Sequence, residues 1–461
     1  MFRIRSRIVR AAAIGVTAIL ALTALTSCAG SGGGGGNGGS ATSGTINWWS
    51  WTPDNDVAAR VIALFNKQYP NIKVNYKIIQ DSNYTAVLRP ALASSNGPDT
   101  FTLATNGTAG QVNIFAPYTL NLTSKVQALL GADWKSKVYG VASYPNGYTY
   151  QGKLTGMPWG RMTNGTIWID VNLFKKYNVK VPTTLPQWVA ACKVFQAHGH
   201  GCLTEGVGDG SGFDITTLHT IMNSVEPGLF TKITTGKAQW TDPAVLQSWA
   251  IFKEMQNDGI LDPGSVGTQQ YPQSNNNFLS GKDAMVQMGY WYAQYATNAS
   301  LTAALAGAGV PANTPKITIE PIPFPDVAGK GNAFTMFGDP DVGQAVNAKS
   351  PVRNAATTFA LWIGGTKQAQ QLIADNIIEI PTLAGVTPNW ASTGLIDPSA
   401  QMPGLEWLYK LSAGTTEPRF ANLPPVKFTA VSNANVAVVT GKQTPAQAAA
   451  AVQQAFNSAT G

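Results

Sequence analysis

The hydrophobic pattern from residue 45 onward switches repeatedly between the period of a strand and the period of a helix. Residues 45–51 and 72–76 are rich in β-branched and aromatic side chains and predict strands, whereas 57–69 carries apolar residues at helical spacing. A helix over 84–93 and a strand over 99–103 are predicted next. Strands and helices that alternate in this way are typical of a parallel sheet covered by helices, so an α/β structure is expected.

Further along the chain the same periodicities predict a second set of elements. A strand that leads into a helix is predicted over 166–174, and a buried strand over 284–288 is expected to end at an aromatic loop, 289–292. The remaining predicted elements are a strand over 316–323 and helices over 187–197, 243–258, 355–363 and 444–456.

The first 28 residues have the pattern of an export signal. Four arginines lie within the first ten residues, and residues 11–26 then carry no charge. Leu25-Thr26-Ser27 precedes Cys28, and this order of residues is typical of a bacterial lipoprotein. We therefore predict a signal peptide over 1–27 and a lipid on the Cys28 thiol. The alternative is a short transmembrane anchor, but a run of sixteen residues is shorter than the ~20 that a bilayer requires.

A glycine-rich tether is predicted to follow the lipidated cysteine, over 28–44. This stretch has almost no apolar surface to bury, so it is not expected to join a core. It lacks the Gly-Lys-Ser/Thr ending of a phosphate-binding loop, and no strand precedes it. We expect the folded part of the chain to be held near a membrane without spanning it.

Length and charge narrow the class of protein. The chain has 461 residues, and the part after the signal peptide is too long for a single hydrophobic core and suits two lobes. The four N-terminal arginines supply more than half of the formal net charge of +7, so the charge gives no argument for a nucleic-acid partner. Charged residues are only 12% of the chain, which favours a neutral polar ligand.

The two cysteines other than Cys28 predict a disulfide. Cys192 and Cys202 enclose a short loop in a chain expected to be exported to an oxidising compartment. His198 and His200 lie inside the same loop, so a zinc site is the competing interpretation. The spacing of these four residues does not match the usual zinc-finger patterns, and we expect the disulfide and no metal.

Seven short segments together carry a resemblance to a known family. They begin with Phe65-Asn66-Lys67-Gln68-Tyr69-Pro70 and include the Gly97-Pro98-Asp99 turn. The full set, in chain order, is 65–74, 95–99, 152–158, 168–185, 278–291, 322–325 and 441–445. In this order, and behind a lipoprotein signal, they are similar to the family-1 extracellular solute-binding proteins of ABC importers, the group that includes maltose-binding protein.

The resemblance implies both a fold and a function. The implied fold is α/β and periplasmic-binding-protein-like class II, with two α/β lobes, crossover hinges and a ligand cleft between them. Lobe 1 is expected to comprise 44–161 plus 324–378, and lobe 2 to comprise 162–323 plus 379–461. The implied function is that of a monomer, anchored to the outer face of the cell membrane, that captures a sugar by lobe closure and delivers it to the permease subunits of an ABC importer. An oligosaccharide or related carbohydrate is the expected ligand, without a cofactor.

Five candidate ligand residues lie at the end of, or shortly after, the first or third predicted strand. Ligands of parallel sheets bind at the carboxyl ends of strands, so Trp49, Trp51, Asp54, Asn106 and Thr108 are expected near the cleft. Because side chains alternate along a strand, at least one of the two tryptophans is expected to face the ligand.

The resemblance supplies the remaining candidates. Trp291 matches a position that stacks on a sugar, and its alternative role is that of a core tryptophan. Phe428, thirteen residues before Gly441, matches a second stacking position. Four further candidates lie beside the first crossover or in a Gly-rich loop of lobe 2: Trp159, Arg161, Asp209 and Ser211. Arg161 has an equally plain structural interpretation, a salt bridge at the hinge.

Two other functional classes remain as alternatives. A secreted carbohydrate-active enzyme would use two nearby carboxylates, and the pairs Asp54/Asp56 and Asp209/Asp214 have simpler interpretations as loop or cap residues. The chain has no Gly-x-Ser-x-Gly and no His-Glu-x-x-His motif, so we assign no catalytic residue and expect no enzyme. A binder of another solute, such as a peptide, is the second alternative.

Overall fold

The computed structural model describes residues 38–104, 111–139, 147–415, 417–420 and 423–458. Cys28, Asn106 and Thr108 lie outside the described residues, so their predicted roles stay predictions. Among the described residues there is no helix whose length and apolar character would let it cross a membrane.

Strands and helices alternate along most of the described chain. The strands are β1 (Gly44–Ser50), β2 (Ile72–Ile78), β3 (Thr100–Ala104), β4 (Thr149–Tyr150), β5 (Lys153–Leu154), β6 (Gly156–Asn164), β7 (Thr166–Asp170), β8 (Gly201–Thr204), β9 (Asp283–Met288), β10 (Ile319–Ile322), β11 (Phe337–Val346) and β12 (Ile380–Pro381). The helices are α1 (Asn55–Gln68), α2 (Asp81–Ala93), α3 (Gln111–Phe115), α4 (Thr123–Leu130), α5 (Trp134–Lys137), α6 (Val171–Lys176), α7 (Leu185–Ala197), α8 (Phe213–Val225), α9 (Leu229–Thr234), α10 (Pro243–Asn257), α11 (Asn275–Leu279), α12 (Asn298–Gly307), α13 (Arg353–Gly365), α14 (Lys367–Asp375), α15 (Pro398–Ala413), α16 (Pro425–Val439) and α17 (Pro445–Ser458).

Six strands form the larger sheet, in the order β12-β6-β11-β3-β1-β2. β1 runs parallel to β2 and to β3, while β11 runs antiparallel to β3 and β6. The parallel strand–helix–strand–helix–strand unit predicted for the first hundred residues is therefore confirmed. Trp48 is fully buried on one face of β1, with its ring centroid 5.1 Å from that of Phe359 on α13. We call the elements packed on this sheet the first lobe.

The smaller sheet has four strands, in the order β10-β7-β9-β8. One of its faces packs against α7, α8 and α10, and α16 and α17 extend this core. The other face packs against α12, α15 and an aromatic segment, Tyr290–Ala296. That segment is a short 3₁₀ helix, whereas the sequence predicted a loop over 289–292. We call the elements packed on this sheet the second lobe.

The chain passes between the lobes at several places. β6 of the larger sheet runs into β7 of the smaller sheet through Gly165, whose φ of 108° suits glycine. The chain returns from β10 to β11, and β12 then adds a short strand to the edge of the larger sheet beside β6. The predicted boundaries at 161, 323 and 378 stay predictions.

The cysteine loop is closed in the second lobe. Cys192 on α7 and Cys202 on β8 form a disulfide, and both are fully buried. His198 stacks on Tyr177 at 4.1 Å, and the Nδ1 atom of His200 lies 3.0 Å from the carbonyl oxygen of Gly281. Among the described residues no group of three or more histidines, cysteines or carboxylates has the arrangement of a metal site.

Candidate ligand-binding site

Aromatic rings form one wall of the site, on the second lobe. Trp291 is half-buried, and its indole Nε1 donates a hydrogen bond of 2.8 Å to the hydroxyl of Tyr271. Phe213, at the start of α8, lies edge-on to both, with ring centroids 6.0 Å from Trp291 and 6.4 Å from Tyr271. The hydrogen bond and the ring contacts fix the orientation of Trp291, so part of its surface remains free for a flat apolar partner.

Gly289 explains how the Trp291 ring reaches this position. A Cβ atom at residue 289 would lie 1.8 Å from Cζ3 of Trp291 and 2.3 Å from the carbonyl oxygen of Thr163. Neither distance is compatible with a side chain. The ring therefore lies directly on the backbone at the end of β9, because the residue there is glycine.

The first lobe presents Trp51 and Asp54 just after β1. The ring of Trp51 lies edge-on to Tyr84 on α2, 4.8 Å between centroids. Asp54 precedes α1 but does not cap it with its side chain. Its Oδ2 accepts a 3.2 Å hydrogen bond from the hydroxyl of Tyr295, which belongs to the aromatic segment of the second lobe. Asp54 therefore lies where the two lobes meet.

Burial changes the ionisation of this carboxyl. Desolvation raises the pKa of Asp54, and the hydrogen bond from Tyr295 offsets part of the rise. The negative charge of Asp56 adds a smaller rise. Burial disfavours the charged form of this carboxyl. The folded protein is therefore expected to lose stability as the pH rises through the raised pKa.

Asp81, the first residue of α2, is a further carboxylate on the first lobe. It is exposed to solvent, yet surrounding protein desolvates it enough to raise its pKa. The positive charge of Arg419 lowers this pKa and the negative charge of Asp209, on the second lobe, raises it. Asp81 therefore lies in the electrostatic field of both residues.

Asp209 holds the Gly-rich loop that precedes α8. Its Oδ1 accepts hydrogen bonds from the backbone N–H of Ser211, at 2.9 Å, and from the Ser211 hydroxyl. Its Oδ2 accepts a 2.8 Å hydrogen bond from the backbone N–H of Gln270, the residue before Tyr271. These bonds fix the orientation of Asp209 and connect the loop to the aromatic wall.

Phe428, on α16, lies on the far side of that loop. Its ring is half-buried and lies edge-on to Phe420, 5.4 Å between centroids. A Cβ atom at Gly212 would lie 2.7 Å from Cζ of Phe428, so the two residues are in close contact. Because Phe213 follows directly, the aromatic wall continues from Trp291 to Phe428.

A buried charge cluster lies beside the site at the crossover strands. Arg419 and Asp341 on β11 form a salt bridge of 3.1 Å, with side chains only 5% and 4% exposed. Glu379, which precedes β12, is fully enclosed next to Asp341. Burial raises the pKa of Glu379 well above its usual value, and the charge of Asp341 raises it further. Both effects favour the neutral form of Glu379, and Arg419 balances the charge of Asp341.

Comparison with known proteins assigns the chain to a family. The model of the bacterial extracellular solute-binding protein family matches residues 48–370, which is well over half of the chain. The chain belongs to this family.

One curated relative of this solute-binding protein is an uncharacterized ABC transporter extracellular-binding protein of Pyrococcus horikoshii. It is 24% identical over 201 residues, which are 43% of the chain and 45% of the relative. The chain therefore matches less than half the length of that relative.

Solved structures similar to the solute-binding protein include three sugar-binding proteins. A chitin oligosaccharide binding protein is 19% identical with a TM-score of 0.67, and the match covers 90% of this chain and 99% of the other. A maltose-bound MalE3 of T. maritima is 15% identical with a TM-score of 0.66 over the same shares of the two chains. The bacterial solute receptor AcbH is 13% identical with a TM-score of 0.68 and covers 92% and 99%. The fold is therefore that of the periplasmic-binding-protein-like class II, as the sequence predicted.

Five of the residues predicted from the sequence lie around the space between the lobes. Trp51 and Asp54 approach it from the first lobe. Trp291, Asp209 and Phe428 belong to the wall and loop of the second lobe. Ser211 also lies in that loop, where its hydroxyl donates to Asp209.

Three other predicted residues are partly or fully enclosed. Trp159 is fully buried in the core of the first lobe, so it does not line the space between the lobes. Trp49, the second-last residue of β1, is half-buried with the Lys77 ammonium 4.1 Å from its ring centroid, and it packs against the same cluster as Trp51. Arg161 is 7% exposed and lies over the ring of Tyr139 at 3.8 Å. Both residues on β6 are enclosed because β11 and β12 pair with that strand on its two sides.

Four residues at or beside the site were not predicted from the sequence. Tyr271, Tyr295 and Arg419 come from three separate segments, and only the folded chain brings them together. Asp81 was not predicted because the helix that contains it was expected to begin at residue 84. The aromatic run Tyr290-Trp291-Tyr292 continues to Tyr295 in the sequence, and this continuation could have identified Tyr295.

Proposed function

We propose that the chain is the lipid-anchored, extracytoplasmic solute-binding component of an ABC importer and that it captures a carbohydrate between its lobes. It then delivers the carbohydrate, chemically unchanged, to the permease. The observation that carries the proposal is the partly exposed Trp291, fixed by Tyr271 and Gly289, in the same aromatic segment as Tyr295, which bonds to Asp54 of the first lobe. A sugar ring has an apolar face and hydroxyl edges, and this arrangement offers a partner for each.

Lobe closure is the mechanism that we infer for capture. Asp54 and Tyr295 already form a hydrogen bond from one lobe to the other. A ligand that contacts both lobes is bound more strongly when they are close together, and it therefore favours the closed state by its differential affinity. The crossover strands at Gly165 and at β11 are the places where the chain would bend.

The similar proteins support a carbohydrate ligand. Their names refer to chitin oligosaccharide, to maltose and to β-D-galactopyranose. The relative from Pyrococcus horikoshii is named as part of an ABC transporter, which supports a permease partner. The lipoprotein signal before Cys28 supports attachment to the membrane.

A ligand panel tests the proposal. Calorimetric titration of the purified protein with mono- and oligosaccharides is expected to give saturable binding with a Kd near 1 μM, about 8 kcal/mol. Chromatography of the recovered ligand is expected to return the same sugar. A shortened sugar would establish the enzyme alternative, and tight binding of peptides without any binding of sugars would establish the peptide alternative.

The membrane attachment has its own test. Cys28→Ala is expected to release the protein from the membrane fraction into the medium without altering sugar affinity. Retention of the variant in the membrane fraction would favour the transmembrane-anchor alternative.

A further inference from the structure

We propose that one edge of the first lobe, where the N-terminal segment joins it, is a docking surface for an anionic lipid membrane. The inference rests on the lipid anchor of the proposed function and adds to it a second, electrostatic contact with the same membrane. The surface consists of the amino ends of β1 and β2 and of the connections that lie beside them.

The first observation is the place where the chain joins the first lobe. The backbone carbonyl of Gly38 accepts a 3.0 Å hydrogen bond from the N–H of Asn354, and the side-chain amide of Asn354 donates one of 2.8 Å to the carbonyl of Gly39. The hydroxyl of Thr358 donates to the carbonyl of Ala41 at 2.7 Å. Residues 38–41 are therefore bound to the first half of α13.

The length of the chain before this point limits its distance from the membrane. Ten residues lead from Cys28 to Gly38, and ten residues reach at most about 35 Å when fully extended. With a lipid on Cys28, Gly38 stays within that distance of the bilayer surface. The anchor therefore keeps this edge of the first lobe close to the lipid.

The second observation is a pair of lysines beside this segment. Lys349 lies two residues before Pro351, whose carbonyl oxygen would be 3.0 Å from a Cβ atom at Gly39. Lys73 is paired with Thr45 in the parallel register of β1 and β2. Both lysines are exposed, and neither side chain forms an ion pair with a described residue. Their charges are therefore available to a partner outside the protein.

The same edge has an excess of positive charge. Its connections carry six basic residues and one acidic residue. The acidic residue, Asp99, is 7% exposed, and its carboxylate accepts hydrogen bonds from the backbone N–H of Asn47 at 2.8 Å and from the Ser350 hydroxyl at 2.6 Å. The basic residues are Lys67, Lys73, Lys125, Lys153, Lys349 and Arg353, within the connections 67–73, 94–100, 116–125, 151–156 and 346–353. These connections therefore present positive charge to solvent without an exposed acidic residue among them.

The third observation is that the opposite edge of the same sheet has the opposite charge. The segments after β1 and β2, 51–56 and 79–81, contain Asp54, Asp56 and Asp81 and no basic residue. An anionic lipid surface attracts clusters of lysine and arginine that lie within a Debye length of it, and it repels carboxylates. The first lobe therefore docks by its basic edge. Its carboxyl edge, which lines the cleft, then faces away from the lipid.

Vesicle binding tests the proposal. The Cys28→Ala protein, which cannot carry the lipid, is sedimented with vesicles of phosphatidylglycerol and phosphatidylcholine in equal parts, and with vesicles of phosphatidylcholine alone. At low salt it is expected to bind the anionic vesicles at least tenfold more strongly than the neutral ones. A salt concentration of about 0.5 M is expected to abolish the difference, because salt screens the attraction.

Two double variants of the Cys28→Ala protein locate the surface. Lys73→Gln with Lys349→Gln removes two charges from the basic edge and breaks no ion pair among the described residues, so binding to anionic vesicles is expected to fall at least tenfold. Lys180→Gln with Lys237→Gln removes the same charge from exposed residues of the second lobe. This control is expected to change vesicle binding by less than twofold.

The outcomes separate the inference from the proposed function. Equal binding to the two kinds of vesicle, or equal losses in the two double variants, overturns the inference and leaves sugar capture and the lipid anchor standing. Stronger binding to soluble polyphosphate than to vesicles of the same phosphate concentration also overturns it, since an anionic polymer would then be the partner. A protein that docks on anionic vesicles but binds no sugar in titration supports the inference and contradicts the proposed function.

Discussion

Acidic residues lie in two neighbouring regions of the protein, and the two regions differ in the partners that they give to these side chains. At the crossover strands, Asp341 is buried against Arg419, and burial raises the pKa of the adjacent Glu379. Asp54, where the lobes meet, has only a tyrosine hydroxyl as its side-chain partner, and Asp81 at the start of α2 is exposed to solvent. The crossover carboxylate Asp341 therefore has a counter-charge supplied by the fold, whereas Asp54 has a neutral partner. The location of a carboxylate therefore does not reveal its role, but the origin of its counter-charge does.

Breaking the buried pair is expected to give the largest effect. Arg419→Met removes the positive charge and leaves Asp341 buried, so the free energy of unfolding is expected to fall by about 3–5 kcal/mol. Urea denaturation followed by circular dichroism measures the change. Arg60→Met is the matched control because the Arg60–Asp56 pair, 3.1 Å apart, is exposed to solvent, and its loss is expected to cost less than about 1 kcal/mol. Equal losses would contradict the distinction between the two environments.

A third environment for a carboxyl sharpens the comparison. Glu205, fully buried behind the Gly-rich loop, has a hydroxyl partner in Thr217 at 2.8 Å and acidic neighbours in Asp214 and Asp209. Burial raises its pKa to about 8. Between the pKa of the unfolded chain and this value only the folded state holds the proton, so stability is expected to fall as the pH rises, by up to about 1.4 kcal/mol per pH unit.

Glu205→Gln is expected to flatten that dependence, since glutamine keeps the shape of the protonated side chain and does not titrate. Unfolding free energies at pH 5, 6.5 and 8 measure it. Asp214, with a pKa raised to about 6 mainly by burial, supplies a remaining slope at the acidic end. A wild-type stability that does not change between pH 6.5 and 8 would show that Glu205 is ionised in the folded protein.

The aromatic wall is tested by removing its central ring. Trp291→Ala is expected to weaken sugar binding by tenfold or more, roughly 1.4 kcal/mol, while the far-ultraviolet circular dichroism stays the same. Trp49→Ala is the control, because Trp49 is half-buried under Lys77 within the larger sheet. Its affinity is expected to stay within twofold of wild type. The reverse ranking would return Trp49 to the site and exclude Trp291.

The smallest effect is expected at the contact between the lobes. Tyr295→Phe removes the hydrogen bond to Asp54, which is worth about 0.5–1.5 kcal/mol, and leaves the buried ring in place. The closed state is expected to lose population, so small-angle scattering without ligand should show a larger radius of gyration. A radius that does not change would exclude this bond as a contributor to closure.

The sequence allowed most of the fold to be predicted, because hydrophobic periodicity is a local property. The strand predicted over 45–51 corresponds to β1 at Gly44–Ser50, and the helix predicted over 57–69 corresponds to α1 at Asn55–Gln68. The aromatic segment was mistaken for a loop, since three of its rings are buried by contacts with α12 and α15 that local sequence does not encode.

Part of the candidate site could be predicted because its residues follow strands. Trp51, Asp54 and Trp291 each come just after a strand, and they lie around the space between the lobes. Trp159 and Arg161 lie within β6, whose two paired neighbours enclose them, and spacing along the chain does not reveal such pairing. Asp81 and Tyr271 are each influenced by the charges of residues that lie far away in the sequence, on the other lobe. Their surroundings can therefore be recognised only in the folded chain.

The missing side chain at Gly289 has a consequence for divergence among related proteins. A methyl group there would occupy the place of the Trp291 indole. A related protein with a small residue in place of Trp291 no longer requires glycine at position 289. We expect the two positions to vary together, and a change of ligand among related proteins is expected to appear first as the loss of both Gly289 and Trp291.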